Sequence, residues 1–468
     1  MSGAAADDER RGASPAAALT VNGNATAPSV GTDLPGPASR TILERQAPLL
    51  YPGLAHGLGP FVIARKEGFT VEDVDGNVFW DFISAMASVP LGSARADITD
   101  AAVDAMRRYG MEDTHFYTHE FVLPLAEKLL AAAPAGLTRV DIALNGTEAV
   151  ETAVRFMRRA TGRPIVIGFM GGYHGEAGTA GAVGAETGDL SYGFRALMPG
   201  FVHVPYPNPY RTPFAPRPGG TGDGTVDYVR DHLLFHAIDP REVAGFLIEP
   251  VMGSGGCVAP PDGFWTALTA LCRELDLLLC VDEVKSGFGR TGELFAVQRW
   301  GVEPDLMALG KAMGGGVMPI GAVLGTERAM AFDDVSTGST WSWLPAACAA
   351  AIVTLDIFER ESILEHVREL DRVAREALQP VWDRHACIGD VRVVGCFIAV
   401  EFVRDRTTKE RDPELQEAVA WACARRGLLA DSSTTSLNLQ PSLVTPLEVM
   451  ERAVGILSDA IDEVLGAG

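Results

Sequence analysis

Apolar and polar positions change rhythm several times along the chain, and each change marks a boundary. Residues 1 to about 32 show no apolar periodicity and are rich in Ala, Gly, Ser, Asn and Pro, a composition that buries too little to fold. "FVIARKEGFTVEDVDGNVFWDF" then reads as strand, turn, strand, with Asp75-Gly76-Asn77 in the turn. From about residue 98, helical periodicity alternates with short apolar runs. "ITDAAVDAMRRYG", "VLPLAEKLLAAAP", "TEAVETAVRFMRRAT" and "GFWTALTALCRELD" predict helices, and "RVDIAL", "PIVIGF", "VAGFLIEP", "LLLCVDEV" and "LMALGK" predict strands. That alternation indicates an α/β fold with a mostly parallel sheet covered by helices. Residues 205–225, rich in Pro and Gly, predict a surface loop. Past about 346, long helices and "VRVVGCFIAVEFV" predict a smaller α+β domain. The division expected is a disordered segment 1–37, the N-terminal part of the small domain at 38–95, a large domain at 96–345, and the C-terminal small domain at 346–468.

Composition narrows the classes. The chain has 468 residues, 47% of them hydrophobic, and a formal charge of −22. That balance argues against nucleic acid, which needs clustered Lys and Arg. No window approaches a membrane span. Seven unpaired-looking cysteines point to a reduced, cytoplasmic compartment. Arg10-Arg11 is followed by too poor an apolar segment for export. His232 and His236 have helical i, i+4 spacing but no third ligand, so no metal is expected.

Ligands of open α/β sheets bind beyond the carboxyl ends of the strands, and polar groups cluster there. Asp282 ends "LLLCVD", Glu249 follows "FLI", and Lys311 follows "LMALG" and runs into Gly314-Gly315-Gly316. Asn145-Gly146-Thr147 lies between a strand and a helix, where free N–H groups attract an anion. Together they describe an anion cradle, a buried acid and a lysine on a glycine-rich loop. Pyridoxal 5'-phosphate needs such a set: a lysine for its aldehyde, an anion site for its phosphate, and a carboxylate for its ring nitrogen. A second lysine, Lys285, stands three residues after Asp282 and competes for the nucleophile's role.

"VEDVDGNVFWDF", "NGTEAVETAVRF", "GGYHG", "IEPVMGSGG", "VDEVKSGFGRTG", "PDLMALGKAMGGGVMPIGAV", "GSTWS" and "IGDVRVVGCFIAVEFVRDRTTKE" follow one another in an order that resembles the class-III aminotransferases. The resemblance runs from about residue 38 to the C-terminus. It implies fold type I and a homodimer that transfers an amino group from a small-molecule amine donor to a carbonyl acceptor. Under it, Lys311 is the Schiff-base lysine and Asp282 the partner of the pyridinium nitrogen. Val284 and Tyr173 cover the two ring faces, and His174 supports Asp282. Gly146 and Thr147 hold the phosphate, and Thr340 reaches the phosphate of the partner subunit. Glu249 lines the pocket and Glu283 is structural. Lys285 replaces the family's common Gln near the phenolic oxygen, as in some racemases of the family, and becomes a tuning group.

Three departures bear on substrate. Ser254 stands where glutamate-using relatives carry a second acid. Asn438, in "LNLQPSLVT", stands where an arginine clamps the α-carboxylate. Thr337 and Trp343 replace the usual His and Gly, with Trp343 either core packing or an aromatic wall facing substrate. These differences favour a cationic or carboxylate-poor substrate such as an amino-sugar, aminocyclitol or diamine. The alternative is a racemase or epimerase of the same fold.

Overall fold

The computed structural model describes residues 27–52, 54, 61–186, 198–214, 224–433 and 435–466. Its largest sheet has seven strands: β1 Arg139–Ala143, β2 Ile165–Met170, β3 Phe201–Pro205, β4 Val243–Ile248, β5 Leu278–Asp282, β6 Leu306–Leu309 and β7 Gly321–Gly325. Their spatial order is β1-β7-β6-β5-β4-β2-β3. β7 is antiparallel to both neighbours, and the remaining pairs are parallel. β4 to β7 are buried along their whole length, as expected of strands covered on both faces.

Five of these strands are the ones their apolar runs predict. β3 and β7 are additions. In β3, "FVHVP" is interrupted by His203, which is satisfied by the Val183 carbonyl at 3.1 Å. In β7, "GAVLG" is short and glycine-bounded, so neither carries a strong signature.

Helix α1, Gly146–Thr161, shows how the pattern becomes packing. Val150, Val154 and Met157 fall on one buried face, the i, i+4, i+7 spacing of an amphipathic helix. Asn145 caps its start by accepting the Glu148 N–H at 3.0 Å, and Gly162, at φ 68°, ends it.

The chain's two flanks share one sheet. Ile63–Glu67, Thr70–Asp73 and Val78–Asp81 are antiparallel, and Leu428–Leu429 joins them in parallel beside Val78–Asp81. A second antiparallel sheet contains Ile388–Val394, Phe397–Asp405, Leu437–Leu439 and Asp431–Ser432.

Two expectations change. Residues 1–26 lie outside the described residues, but pairing begins well before residue 37: Ser29 and Val78 exchange N–H···O bonds of 2.9 and 2.8 Å. The expected surface loop starts as packed chain. Tyr206 is buried and donates its hydroxyl to the Glu249 carbonyl at 3.0 Å, and Arg211 reaches Glu401 at 2.5 Å. Residues 215–223 lie outside the described residues. His232 and His236 sit on a π-helix, Val229–Ala237. Among the described residues no group of three or more His, Cys, Asp or Glu is placed to hold a metal, and no helix is long and apolar enough to cross a membrane.

Candidate active site

A cavity of about 430 Å³ opens where the carboxyl ends of β1, β2, β4, β5 and β6 converge. The sheet order supplies the reason. Across the sheet the chain steps one way from β2 to β3 and the other way from β4 to β7, and this reversal between the adjacent β2 and β4 leaves a crevice beyond the strand ends.

Each strand end delivers one group. From β1 comes the start of α1, where the cap takes the Glu148 N–H and leaves Gly146 and Thr147 as orphan donors of the first turn. Glu148 is held from both sides, its carboxylate accepting from the Leu144 N–H and from the Ser342 hydroxyl. Gly146 is required by crowding: a Cβ there would lie 2.4 Å from Val284 Cγ1, and one on Gly310 would lie 2.8 Å from Gly146 N. Val284 thus packs directly on the helix start.

From β2 come Tyr173 and His174, and from β5 comes Asp282. Asp282 is buried; Oδ2 meets His174 Nδ1 at 2.6 Å, and Oδ1 accepts the Val284 N–H at 2.9 Å. Glu249, after β4, accepts the N–H groups of Tyr173 (3.0 Å) and Gly253 (2.9 Å). Burial raises its carboxyl above the usual range. Tyr173 donates its hydroxyl to Glu176 at 3.1 Å, and burial raises its phenol.

Lys311 follows β6 with a backbone φ of 44°, a left-handed conformation that costs a non-glycine residue about 1 kcal/mol or more. Its Nζ lies 5.9 Å from the Tyr173 ring centroid. Burial, followed by the positive charge of Lys285, lowers its amine to about 8. Lys285 also lines the cavity; it is 5% exposed, and its Nζ has no hydrogen-bond partner among the described residues.

Gly146, Thr147, Tyr173, His174, Glu249, Asp282, Val284, Lys285 and Lys311 are therefore brought together around one space. Thr340 is not: it is exposed in a turn outside this cavity. Glu283 points into the core, accepting the Ser286 hydroxyl (2.6 Å) and the Val297 N–H (2.8 Å), with burial pushing its carboxyl to about 7. Trp343 is core packing and not a wall facing substrate: it is 1% exposed, and its indole donates to the Gly321 carbonyl at 2.8 Å. Asn438 is fully buried, accepting the Ser436 hydroxyl at 2.8 Å.

Sequence reasoning missed the opposite wall, formed by Val317–Ile320 and by Ala85, Ser88 and Val89. The Gly-rich run before Val317 was its one available signal. It also missed Glu186, whose carboxyl is pushed to about 7 by burial and then by the like charge of Glu249.

The family model for class-III aminotransferases matches residues 54–461. The chain belongs to the class-III aminotransferases. Members of this family use pyridoxal phosphate, and the site fits that group on its own evidence: a crowded glycine cradle at a helix N-terminus, a buried carboxylate, and two lysines lining one cavity. This class-III chain is 33% identical over 449 residues to the alanine/serine racemase of Pyrococcus horikoshii, covering 94% of the chain and 93% of that protein. It is 34% identical over 410 residues to the 4-aminobutyrate aminotransferase of Mycobacterium tuberculosis, covering 85% and 89%. Among solved structures, an amine transaminase from an uncultivated Pseudomonas species, in a PLP-bound form, superposes with a TM-score of 0.83 at 29% identity. That match covers 89% of this chain and 98% of the other. The fold is accordingly type I, and the chain is a pyridoxal-phosphate-dependent transaminase of class III.

Proposed function

We propose that this transaminase carries an amino group from an amine lacking an α-carboxylate clamp partner (an amino-sugar, aminocyclitol or diamine) to an aldehyde or ketone. The observation that carries the reading is the meeting of the Lys311 amine, the buried Asp282–His174 pair and the α1 N-terminus in one cavity. When bound, pyridoxal phosphate supplies an aldehyde for the amine and a ring that withdraws electrons from Cα.

The chain's residues do the rest. The N–H groups of Gly146 and Thr147 and the Thr147 hydroxyl bind the phosphate. Asp282, fixed by His174, keeps a proton on the ring nitrogen. Tyr173 and Val284 orient the ring from its two faces. Lys311 would accept the proton from the substrate Cα and deliver it two bonds away, to the carbon that the cofactor's aldehyde supplies. Glu249, held by two N–H groups, shapes the pocket beside it. With Asn438 buried among Ser436 and Cys257 and no acid at Ser254, nothing at those two positions recognises a carboxylate.

The site is proposed to work as a homodimer in the cytoplasm. Phe116, Tyr117 and Trp341 are exposed large side chains on segments joined by hydrogen bonds from Thr114 and His119 to the Trp343 carbonyl. An apolar ledge of this kind, beside exposed Thr340, suits a second copy. All seven cysteines are free thiols, in keeping with a reducing compartment.

A second reading, racemisation or epimerisation at Cα, is favoured by Lys285 and by the racemase relative. The test is a panel of donors added to purified holoenzyme without an acceptor. Transamination yields one equivalent of carbonyl product per site. Exchange of the Cα hydrogen with deuterated solvent, without carbonyl product, would assign the second reading instead.

A further inference from the structure

Only five of the 39 basic residues are lysine: Lys66, Lys128, Lys285, Lys311 and Lys409. Three have ordinary partners. Lys66 pairs with Asp81 at 2.6 Å, Lys128 with Asp356 at 2.5 Å, and Lys409 donates to the Tyr210 carbonyl at 2.7 Å. The other two share the active-site cavity.

Lys285 is held there rigidly. A Cβ on Gly253 would come within 2.5 Å of its Cδ and 3.3 Å of Glu249 Oε2, so its stem runs alongside Glu249. Yet its Nζ meets no acceptor among the described residues. Of the carboxylates around it, Glu249 is engaged by two backbone N–H groups and Asp282 by His174 and the Val284 N–H, while Glu186 is within electrostatic reach of both lysines.

We propose that Lys285 is a positioning residue that keeps Lys311 in its amine form, because two ammonium groups sharing one enclosed space repel each other. Neighbouring cations activate lysine nucleophiles in this way. The groups that act on Lys311 are Lys285 on one side of the balance and Asp282, Glu249 and Glu186 on the other, with Tyr173 and His174 completing its surroundings. Burial and Lys285 are the two leading influences, and both lower the amine, to about 8. The inference rests on Lys311 being the cofactor lysine.

The test uses full-length protein stripped of cofactor, with the rate of recombination with pyridoxal phosphate followed from pH 6 to 10. In the wild type the rate should rise with pH and level off above about 8, as Lys311 loses its proton. Lys285→Met and Lys285→Gln should move that midpoint up by about one unit, which is about tenfold less free amine at a given lower pH. Lys285→Arg should restore it. A midpoint that stays put in both neutral variants overturns the proposal. If a neutral variant folds poorly, lysine labelled with ¹³C at Cε gives a second reading in the wild type: a Lys311 signal titrating at its ordinary value, above 10, also overturns it. Failure of covalent attachment in Lys285→Met, with Lys311→Ala still able to attach, would instead mean that the nucleophile itself was misassigned.

Discussion

The two walls of the cavity are built differently. The wall made by the ends of the large sheet is closed upon itself: Asp282 is tied to His174, Glu249 to two N–H groups, and Val284 to the bare backbone of Gly146. The wall facing it, Val317–Ile320 with Ala85, Ser88 and Val89, offers mostly apolar side chains and no charge. The first wall is specified by what one cofactor requires. The second can vary with the substrate, which is why family membership is plain here while the substrate is a proposal.

Changes to the first wall should cost most. Lys311→Ala removes the group proposed to move the proton, and kcat/KM should fall by about 10³ or more, measured with the best donor of the panel. Asp282→Asn neutralises the buried carboxylate proposed to pair with the ring nitrogen and should lower kcat by about 10²–10³.

Gly146→Ala comes next. The new methyl must displace Val284, so cofactor affinity should drop about tenfold and unfolding should become easier by about 1–3 kcal/mol. Val284→Ala in the same chain should recover part of both, as cofactor titration and urea melts would show. Asn438→Ala, outside the cavity lining, should cost about 1–3 kcal/mol of stability through the stranded Ser436 hydroxyl. It should leave cofactor affinity as it was; an equal loss of cofactor affinity would tie this buried cluster to the cofactor site.

The same contrast governs what the sequence reveals. Asp282, Glu249 and Lys311 are legible because each is a polar residue at the end of an apolar run, and strands of a parallel sheet point those ends at one crevice. The helix start is legible from its cap and glycine. Glu186 is not, since a lone acid in "GAVGAETG" has no periodic context. Nor is the wall at Ala85–Val89, where Ala85 and Met86 adopt left-handed conformations at φ 50° and 56° that no propensity would assign to them. Strands β3 and β7 were lost for related reasons, one carrying a histidine and the other bounded by glycines. Trp343, ambiguous by residue type, is decided by its burial and by the hydrogen bond of its indole to the Gly321 carbonyl.

Everything proposed for the site depends on which of its two lysines carries the cofactor. Borohydride reduction of the holoenzyme, followed by tryptic digestion and peptide mass spectrometry, decides this in one step. The cofactor should be found on the peptide containing Lys311 and absent from Lys285. Its attachment to Lys285, or to neither lysine, would contradict the account.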